Sequence, residues 1–250
     1  MSLRNKIVEG VVKQPTKITI YGDPGVGKST FAAGRPNALI LDTEDSTKRL
    51  DCTRIPVHSW ADLCSPIMEL GRDNNGFDTL VIDSIDQAER QLFEHLCVKE
   101  GKDSIESFGF GKGYVKAAES FGKLLAGLDA VVRNGMNVIL VCHSCIKKVS
   151  PPDQTDAFDR YELRLTKHIS PLVLEWSDVL GFLTFDQQII TAANGQKKAK
   201  GGKRRLMHTQ RAAAFDAKSR LDLPAVISVD DSETVDETFS FLNMQEEVTA

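Results

Sequence analysis

The segment Gly22–Ser29 constrains this sequence more than any other feature. It reads Gly-Asp-Pro-Gly-Val-Gly-Lys-Ser and completes the pattern G-x-x-x-x-G-K-[ST]. The apolar residues 18–21 before it are typical of a short buried strand, and Lys28–Ala33 is typical of a helix that Gly34 ends. Glycines in such a turn let successive backbone N–H groups face phosphate oxygens, and the helix N-terminus adds its positive dipole end. The segment therefore predicts a phosphate-binding loop, and a glycine-rich turn without a ligand is the alternative.

Each residue type in this loop has a chemical role. Lys28 would reach the β- and γ-phosphates of a nucleotide, and the Ser29 hydroxyl would bind Mg²⁺. ATP and Mg²⁺ are therefore the predicted ligands. The residues predicted to bind the nucleotide are Gly22, Asp23, Pro24, Gly25, Val26, Gly27, Lys28, Ser29 and Thr30.

Four apolar segments alternate with helical segments over the first 145 residues and are typical of buried strands: 18–21, 38–41, 79–82 and 137–141. Such an alternation predicts a parallel sheet covered on both faces. Beyond residue 178 the pattern changes to shorter strands joined by hairpins, at 179–185, 188–191 and 205–209. We therefore predict an α/β fold with a mostly parallel central sheet flanked by helices, and with antiparallel strands added toward the C-terminus.

The length and composition fit one such domain. The 250 residues are 41% hydrophobic and 26% charged, which is an ordinary globular profile. We predict a short N-terminal segment at 1–15, the α/β domain at 16–228 and an acidic, flexible C-terminal tail at 229–250. That tail could bind a partner or compete with nucleic acid for basic loops.

Charge and cysteine usage narrow the partners and the compartment. The net charge of −4 excludes a polycation, so any contact with nucleic acid would need local basic patches. No apolar run approaches the roughly 18 residues of a membrane span, and the N-terminus lacks the apolar region of a secretory signal. Five scattered cysteines suit a reducing environment, so we expect a cytoplasmic location.

An acidic residue follows the third buried strand. Asp83 stands at the tip of 79–82, and downstream of a phosphate-binding loop such an aspartate would hold Mg²⁺. The alternative is that Asp83 caps the helix that follows. The next residue is Ser84, whereas AAA+ machines usually carry their catalytic glutamate at that position. A catalytic glutamate is therefore expected elsewhere in the chain.

The second buried strand ends in Asp42-Thr43-Glu44, and together with the Asp83-Ser84 pair this arrangement resembles the RecA-type ATPases. The resemblance implies a RecA-like P-loop NTPase core in which Glu44 orients and deprotonates the attacking water. The alternative for Glu44 is a solvated acidic loop, because acidic residues cluster there.

The same resemblance gives a role to the tip of the fourth strand. His143 would lie between the P-loop strand and the Asp83 strand and face the γ-phosphate, where RecA itself has a glutamine that senses the nucleotide. A histidine can donate a hydrogen bond through either ring nitrogen. The alternative is a structural histidine that caps the strand.

RecA-like proteins also carry two basic residues, one apart, that reach the γ-phosphate of a neighbouring subunit. Lys218 and Arg220 match that spacing and chain order. The resemblance thus implies a homo-oligomer, as a ring or a filament, in which cations from one copy stabilise the transition state of the next. The alternative is a pair of exposed cations with no such role.

Within the RecA-like proteins, the chain resembles small bacteriophage ATPases over residues 16–225. The resemblance is carried, in chain order, by the P-loop, Asp42-Thr43-Glu44, Val81-Ile82-Asp83-Ser84, Gly111-Lys112-Gly113-Tyr114, Asp159-Arg160-Tyr161-Glu162 and Ala217-Lys218-Ser219-Arg220. Some members of that group are single-strand-annealing recombination proteins. The implied partner is single-stranded DNA, and the implied location is the host cytoplasm.

Basic and aromatic residues give separate support for contact with nucleic acid. The 108–114 loop offers aromatic rings for stacking, and the run 197–205 carries six cations in nine residues. The alternatives are a packed turn for the first and a solvated mobile loop for the second. The candidate nucleic-acid contacts are Lys112, Tyr114, Lys147, Lys148, Lys197, Lys198, Lys200, Lys203, Arg204 and Arg205.

Three classes of function remain open from the sequence. The first is a DNA-stimulated ATPase that acts in phage recombination, annealing or replication. The second is a remodelling or loader ATPase that acts on protein, for which DNA would leave hydrolysis unchanged. The third is a small-molecule kinase, which the placement of Glu44 for attack by water disfavours.

Overall fold

The structure is a computed structural model that describes residues 14–150, 156–191, 197–230 and 232–243, together with residues 7, 9, 10 and 12. Ten strands lie within these residues: β1 Lys17–Gly22, β2 Ala38–Asp42, β3 Thr53–Pro56, β4 Thr79–Asp83, β5 Asn137–Val149, β6 Phe158–Leu163, β7 Val179–Thr191, β8 Lys197–His208, β9 Lys218–Ser219 and β10 Val226–Ser228. Six α-helices accompany them: α1 Lys28–Ala33, α2 Trp60–Leu70, α3 Ile85–Glu100, α4 Lys112–Arg133, α5 Ser170–Trp176 and α6 Ser232–Thr238.

The strands form one sheet in the order β10-β8-β7-β1-β5-β4-β2-β3. The strands from β7 through β3 in this order pair in parallel, whereas β8 is antiparallel to β7 and β10 is antiparallel to β8. This confirms the predicted α/β class, with a mostly parallel centre and antiparallel strands toward the C-terminus. The order also places β5 between the P-loop strand β1 and β4, as the resemblance implied.

Helices cover both faces of the sheet because both faces of its central strands are apolar. On one face, buried side chains of α2, α3, α4 and α5 form the larger core, in which Phe121 is fully buried. On the other face, Phe31 of α1 packs with Val235 of α6 and with Phe239. A parallel sheet with helices on both faces is expected to have strands that are buried on both sides, as observed here.

The β5 strand is longer than the sequence predicts. Its first six residues are buried in the sheet, and Ser144 to Val149 pair with β6 as an antiparallel hairpin. The polar residues of this second half do not indicate a strand in the sequence. A two-stranded hairpin outside the main sheet needs no continuous apolar run, which is the pattern that predicts a buried strand. Similarly, the two predicted strands 179–185 and 188–191 are one strand, β7, which carries an irregularity between Phe185 and Gln187.

The C-terminal residues pack on the domain where the structure describes them. Within the predicted tail at 229–250, Val235, Phe239 and Leu242 are buried against the α1 side of the sheet. Residues 244–250 lie outside the described residues. The described part of the chain contains no helix with both the length and the apolar composition of a membrane span.

Candidate nucleotide-binding site

The P-loop connects the carboxyl end of β1 to α1, and its glycines are required by its geometry. A Cβ atom on Gly22 would lie 2.2 Å from the carbonyl oxygen of Leu183 on the neighbouring strand. Gly25 and Gly27 have φ angles of +79° and +95°, in the left-handed region that favours glycine. The next residue, Lys28, begins α1, so the loop delivers its backbone N–H groups at a helix N-terminus.

Lys28 is held inside the loop. Its side chain is buried, and Nζ donates hydrogen bonds to the carbonyl oxygens of Gly22 and Asp23, each at 2.9 Å. Burial lowers the pKa of Lys28, while the negative charge of Asp83 opposes that shift. A desolvated cation at this position is well placed to attract phosphate oxygens.

Asp83 ends β4 and is only 3% exposed. Burial is the main cause that raises its pKa to about 6; the Glu44 and Asp42 carboxylates add to the rise, and a hydrogen bond with Ser29 opposes it. Its Oδ2 atom is buried and has no hydrogen-bond partner among the described residues. Mg²⁺ prefers oxygen ligands, and an unpaired carboxylate oxygen beside a serine hydroxyl provides them. Asp83 and Ser29 therefore fit a metal ion here.

Asp42 shapes the loop that carries Glu44. One Asp42 oxygen accepts hydrogen bonds from the N–H groups of Glu44 and Ser46 at 3.2 and 3.1 Å, and the other accepts from the Thr47 N–H at 3.0 Å. Burial raises the pKa of Asp42, but these hydrogen bonds outweigh it and leave the pKa below its ordinary value. The Asp42 carboxylate therefore holds the loop that carries Glu44. The sequence predicts no such role for it, only its place in an acidic cluster.

Glu44 lies between two strand tips. The Ser84 hydroxyl donates a hydrogen bond to Glu44 Oε1, and the Nδ1 atom of His143 lies 3.6 Å from the same oxygen. His143 stands opposite Gly22 in the register of β5 with β1. The three predicted residues Glu44, Asp83 and His143 therefore lie at the same edge of the sheet as the P-loop.

Asp86, on the first turn of α3, completes this cluster and was missed in the sequence reading. It accepts hydrogen bonds from the His143 backbone N–H at 3.1 Å and from Arg164 Nε at 2.8 Å, and it lies 3.2 Å from His143 Nδ1. Burial would raise the pKa of Asp86, but hydrogen bonds from His143 and Arg164 lower it far below its ordinary value. Arg164 Nη2 also lies 3.1 Å from His143 Nδ1, so Asp86 and Arg164 together hold the imidazole ring through this nitrogen.

A polar cavity of about 410 Å³ opens beside Glu44. Arg90, Arg164 and His58 contribute its basic groups, and Glu44 and Asp45 contribute its acidic groups. The cavity gives water and small polar molecules access to the Glu44 carboxylate.

The predicted nucleic-acid residues lie in separate parts of the surface. Lys112 is exposed at the start of α4, and Lys147 and Lys148 lie on the β5–β6 hairpin, where Lys147 pairs with Glu162 at 3.1 Å. Lys203 and Arg204 are exposed on β8, and Arg205 next to them is partly buried. Lys197, Lys198 and Lys200 fall where only the backbone of β8 is described.

Tyr114 is packed rather than free. Its ring stacks on His168 with centroids 5.9 Å apart and meets Phe93 edge-on at 5.7 Å. Its hydroxyl donates to Glu106 at 2.5 Å. These contacts match the packed-turn alternative for this residue.

Lys218 and Arg220 lie at the amino end of the parallel strands, whereas the P-loop lies at their carboxyl end. β9 pairs with the first residues of β7, Val179 and Leu180, and Arg220 forms an ion pair with Asp178 at 2.8 Å. Neither cation therefore lies near the P-loop of its own chain.

Comparison with known proteins gives one extensive match. Residues 14–221 match the protein family described as AAA domain. No curated protein sequence matches the chain. Among solved structures, flagellar accessory protein FlaH from Methanocaldococcus jannaschii is similar, with 12% identity over 90% of this chain and 89% of that chain and a TM-score of 0.43. At this level the likeness to FlaH adds nothing to the topology described above.

Proposed function

The chain belongs to the AAA domain family, and from that premise we propose that it binds ATP with Mg²⁺ and hydrolyses it. One observation carries this proposal. Lys28 at the start of α1, Asp83 at the end of β4 with its unpaired Oδ2 atom, and Glu44 just beyond β2 all lie at the carboxyl end of the parallel strands. A cation for phosphate, a ligand for a divalent metal and a base for water are the three groups that hydrolysis requires.

Each side chain has a separate task in this mechanism. Backbone N–H groups of the loop and Lys28 bind the β- and γ-phosphates. Asp83 and Ser29 would hold Mg²⁺, which when bound neutralises charge on the phosphate oxygens. Glu44 accepts a proton from water as the water oxygen bonds to the γ-phosphorus and the bond to the β,γ-bridging oxygen breaks. His143, whose Nδ1 is held by Asp86, would use its other ring nitrogen, Nε2, to contact the γ-phosphate.

The proposal extends to single-stranded DNA as the macromolecular ligand. Phe110 is completely exposed and has a φ angle of +48°, between two glycines that also have positive φ angles. An aromatic ring held outward at a backbone cost suits base stacking, and Lys112 two residues later offers a cation for phosphate. Lys148 on the β5–β6 hairpin is another exposed cation that could contact phosphate.

The direct experiment measures steady-state phosphate release from Mg-ATP with and without a single-stranded oligonucleotide. We expect release from the wild type, stimulation by the oligonucleotide, and no release above background from Lys28→Ala. Hydrolysis that DNA leaves unchanged would point to the alternative, a loader or remodelling ATPase that acts on protein.

A gel-shift assay tests the DNA contact separately. We expect Lys112→Ala and Phe110→Ala to weaken binding of a single-stranded oligonucleotide, because they remove a phosphate contact and a stacking ring. Lys123→Ala, an exposed lysine farther along the same helix, is the matched control and should bind as the wild type does. Wild-type affinity in both test variants would remove the loop from the DNA site.

We also propose that the active species is a homo-oligomer. Lys218 and Arg220 lie on the side of the sheet away from their own P-loop, so any role of theirs in catalysis needs a second copy. Hydrolysis per chain should then rise with protein concentration, and it should stay constant if a single copy is sufficient.

A further inference from the structure

We propose that Arg205 is a nucleotide-binding residue that contacts the nucleoside end of bound ATP, and that Asp230 in the C-terminal residues holds it there. The inference rests on the proposed binding of ATP. It reassigns Arg205, which the sequence pattern groups with the basic run for nucleic acid, to the nucleotide site.

The strand order gives the direction of the bound nucleotide. β1 lies between β5 and β7. On the β5 side stand His143, Asp83 and Glu44, the groups that would face the γ-phosphate and the metal. Because a triphosphate is a linear chain, ATP with its γ-phosphate on that side carries its nucleoside toward the other side, where β7 and β8 lie.

Arg205 lies directly on the P-loop from that other side. A Cβ atom added to Gly27 would be 2.5 Å from Arg205 Nη1 and 3.5 Å from Arg205 Cζ. Successive side chains of a strand point to opposite faces, which is why Arg204 is exposed while Arg205 is partly buried. The guanidinium is therefore beside the loop that binds phosphates, and it is separated from the cations that face solvent.

A small cavity of about 80 Å³ adjoins the guanidinium. Thr30, the residue after Ser29, lines it together with Phe31, Arg35, Val229 and Val235. The cavity is much smaller than a nucleoside, so its aromatic and aliphatic wall and its cationic rim offer contact to one edge of the sugar or base only.

The C-terminal residues hold Arg205 in this position. Asp230 accepts hydrogen bonds from the backbone N–H of Arg205 at 2.6 Å and from its Nε at 2.5 Å. A second pair, Arg35 with Asp236 at 3.4 Å, ties α6 to the helix that follows the P-loop. The acidic residues after β10 thus contact two arginines that line the same cavity, and a fixed guanidinium loses less freedom when a ligand binds.

The test is an equilibrium titration of the full-length protein with fluorescent analogues of ATP and of ADP in the presence of Mg²⁺. We expect Arg205→Gln to weaken both nucleotides by the same factor of about ten, because a charge-assisted contact at the nucleoside end is common to both. Arg205→Lys should recover part of the loss, and Asp230→Asn should weaken both by about threefold. Arg211→Gln removes the same charge from a well-exposed arginine just after β8 and should bind as the wild type does.

Three outcomes decide the inference. Wild-type affinity of Arg205→Gln for both nucleotides would overturn it, and so would a loss for ATP alone, which would place Arg205 at the γ-phosphate. If thermal melting shows that Arg205→Gln is unfolded, Arg205→Lys and Asp230→Asn supply the test, and wild-type affinity in both would overturn the inference. A wild-type protein that binds neither nucleotide would remove the proposed function itself, which is a different failure.

Discussion

The two sides of the P-loop are built differently. On the β5 and β4 side, Asp42, Glu44, Asp86 and His143 make hydrogen bonds around the strand tips, whereas the buried Asp83 Oδ2 has no hydrogen-bond partner among the described residues. On the β7 and β8 side, Arg205 is held by Asp230, which follows it by 25 positions in the chain. Under the proposed function, the first side would supply the groups for chemistry and the second would supply groups that bind the nucleoside. Substitutions on the first side should therefore change turnover, and those on the second should change affinity.

The largest expected effect on the chemical side comes from Glu44→Gln. Loss of the base should lower kcat for ATP hydrolysis by about 100-fold or more, with nucleotide affinity kept within about threefold, because the amide preserves shape but accepts no proton. Single-turnover phosphate release together with analogue titration measures both quantities. Asp45→Asn changes the next carboxylate, which is exposed, and should keep wild-type turnover. Unchanged turnover in Glu44→Gln would show that the base lies elsewhere.

Asp86→Asn should have the next largest effect. Without the buried carboxylate, His143 and Arg164 lose their common partner, and we expect kcat to fall by about tenfold while KM changes little. Glu89→Gln is the matched control on the same helix. Glu89 is also buried, but its hydrogen bonds come from Thr166 and not from His143 or Arg164. If both variants lower kcat equally, the cause is a general disturbance of α3 and not the lost contact between Asp86 and His143.

The third prediction concerns stability instead of turnover, and it is a gain of stability in Asp83→Asn. The folded-state pKa of Asp83 is raised to about 6, so the ionised carboxylate costs stability above that pH. The cost disappears as the pH falls from 6 toward 4, because the folded state takes up the proton before the unfolded state does. Without ligands, Asp83→Asn should raise the free energy of unfolding by about 3 kcal/mol at pH 7.5 and by about 0.5 kcal/mol at pH 4.

Thermal melts at the two pH values check this prediction. Asp103→Asn, at an exposed position, should change the free energy of unfolding by less than about 0.5 kcal/mol at either pH. A melting temperature of Asp83→Asn below that of the wild type at pH 7.5 would contradict the burial of an unpaired charge, and would weaken the argument for a metal at this carboxylate.

Local patterns in the sequence predict most of the fold and the positions of the P-loop, Asp83 and Glu44. Each of these features follows a continuous apolar strand, so the tip of the strand marks the residue. The partners Asp86 and Arg164 are 78 positions apart, and only the packing of α3 against the segment after β6 brings them together. No local pattern reports such a contact.

The C-terminal residues teach the opposite lesson. We predict a flexible tail at 229–250 from its acidic composition, yet Val235, Phe239 and Leu242 are buried. Their spacing of four and three positions is that of an amphipathic helix, and this periodicity was visible in the sequence. The acidic composition allows a contact between the tail and a basic segment, but composition does not identify Asp230 and Arg205 as the residues that pair.

The measurement closest to the central claim is equilibrium binding of a labelled ATP analogue to the wild type and to Lys28→Ala in the presence of Mg²⁺. We predict saturable binding of one analogue per chain by the wild type and a loss of at least about tenfold in affinity for Lys28→Ala, because the buried ammonium is the cation that the loop encloses. A folded wild-type protein that shows no saturable binding, or a Lys28→Ala variant that binds equally well, would contradict the nucleotide site.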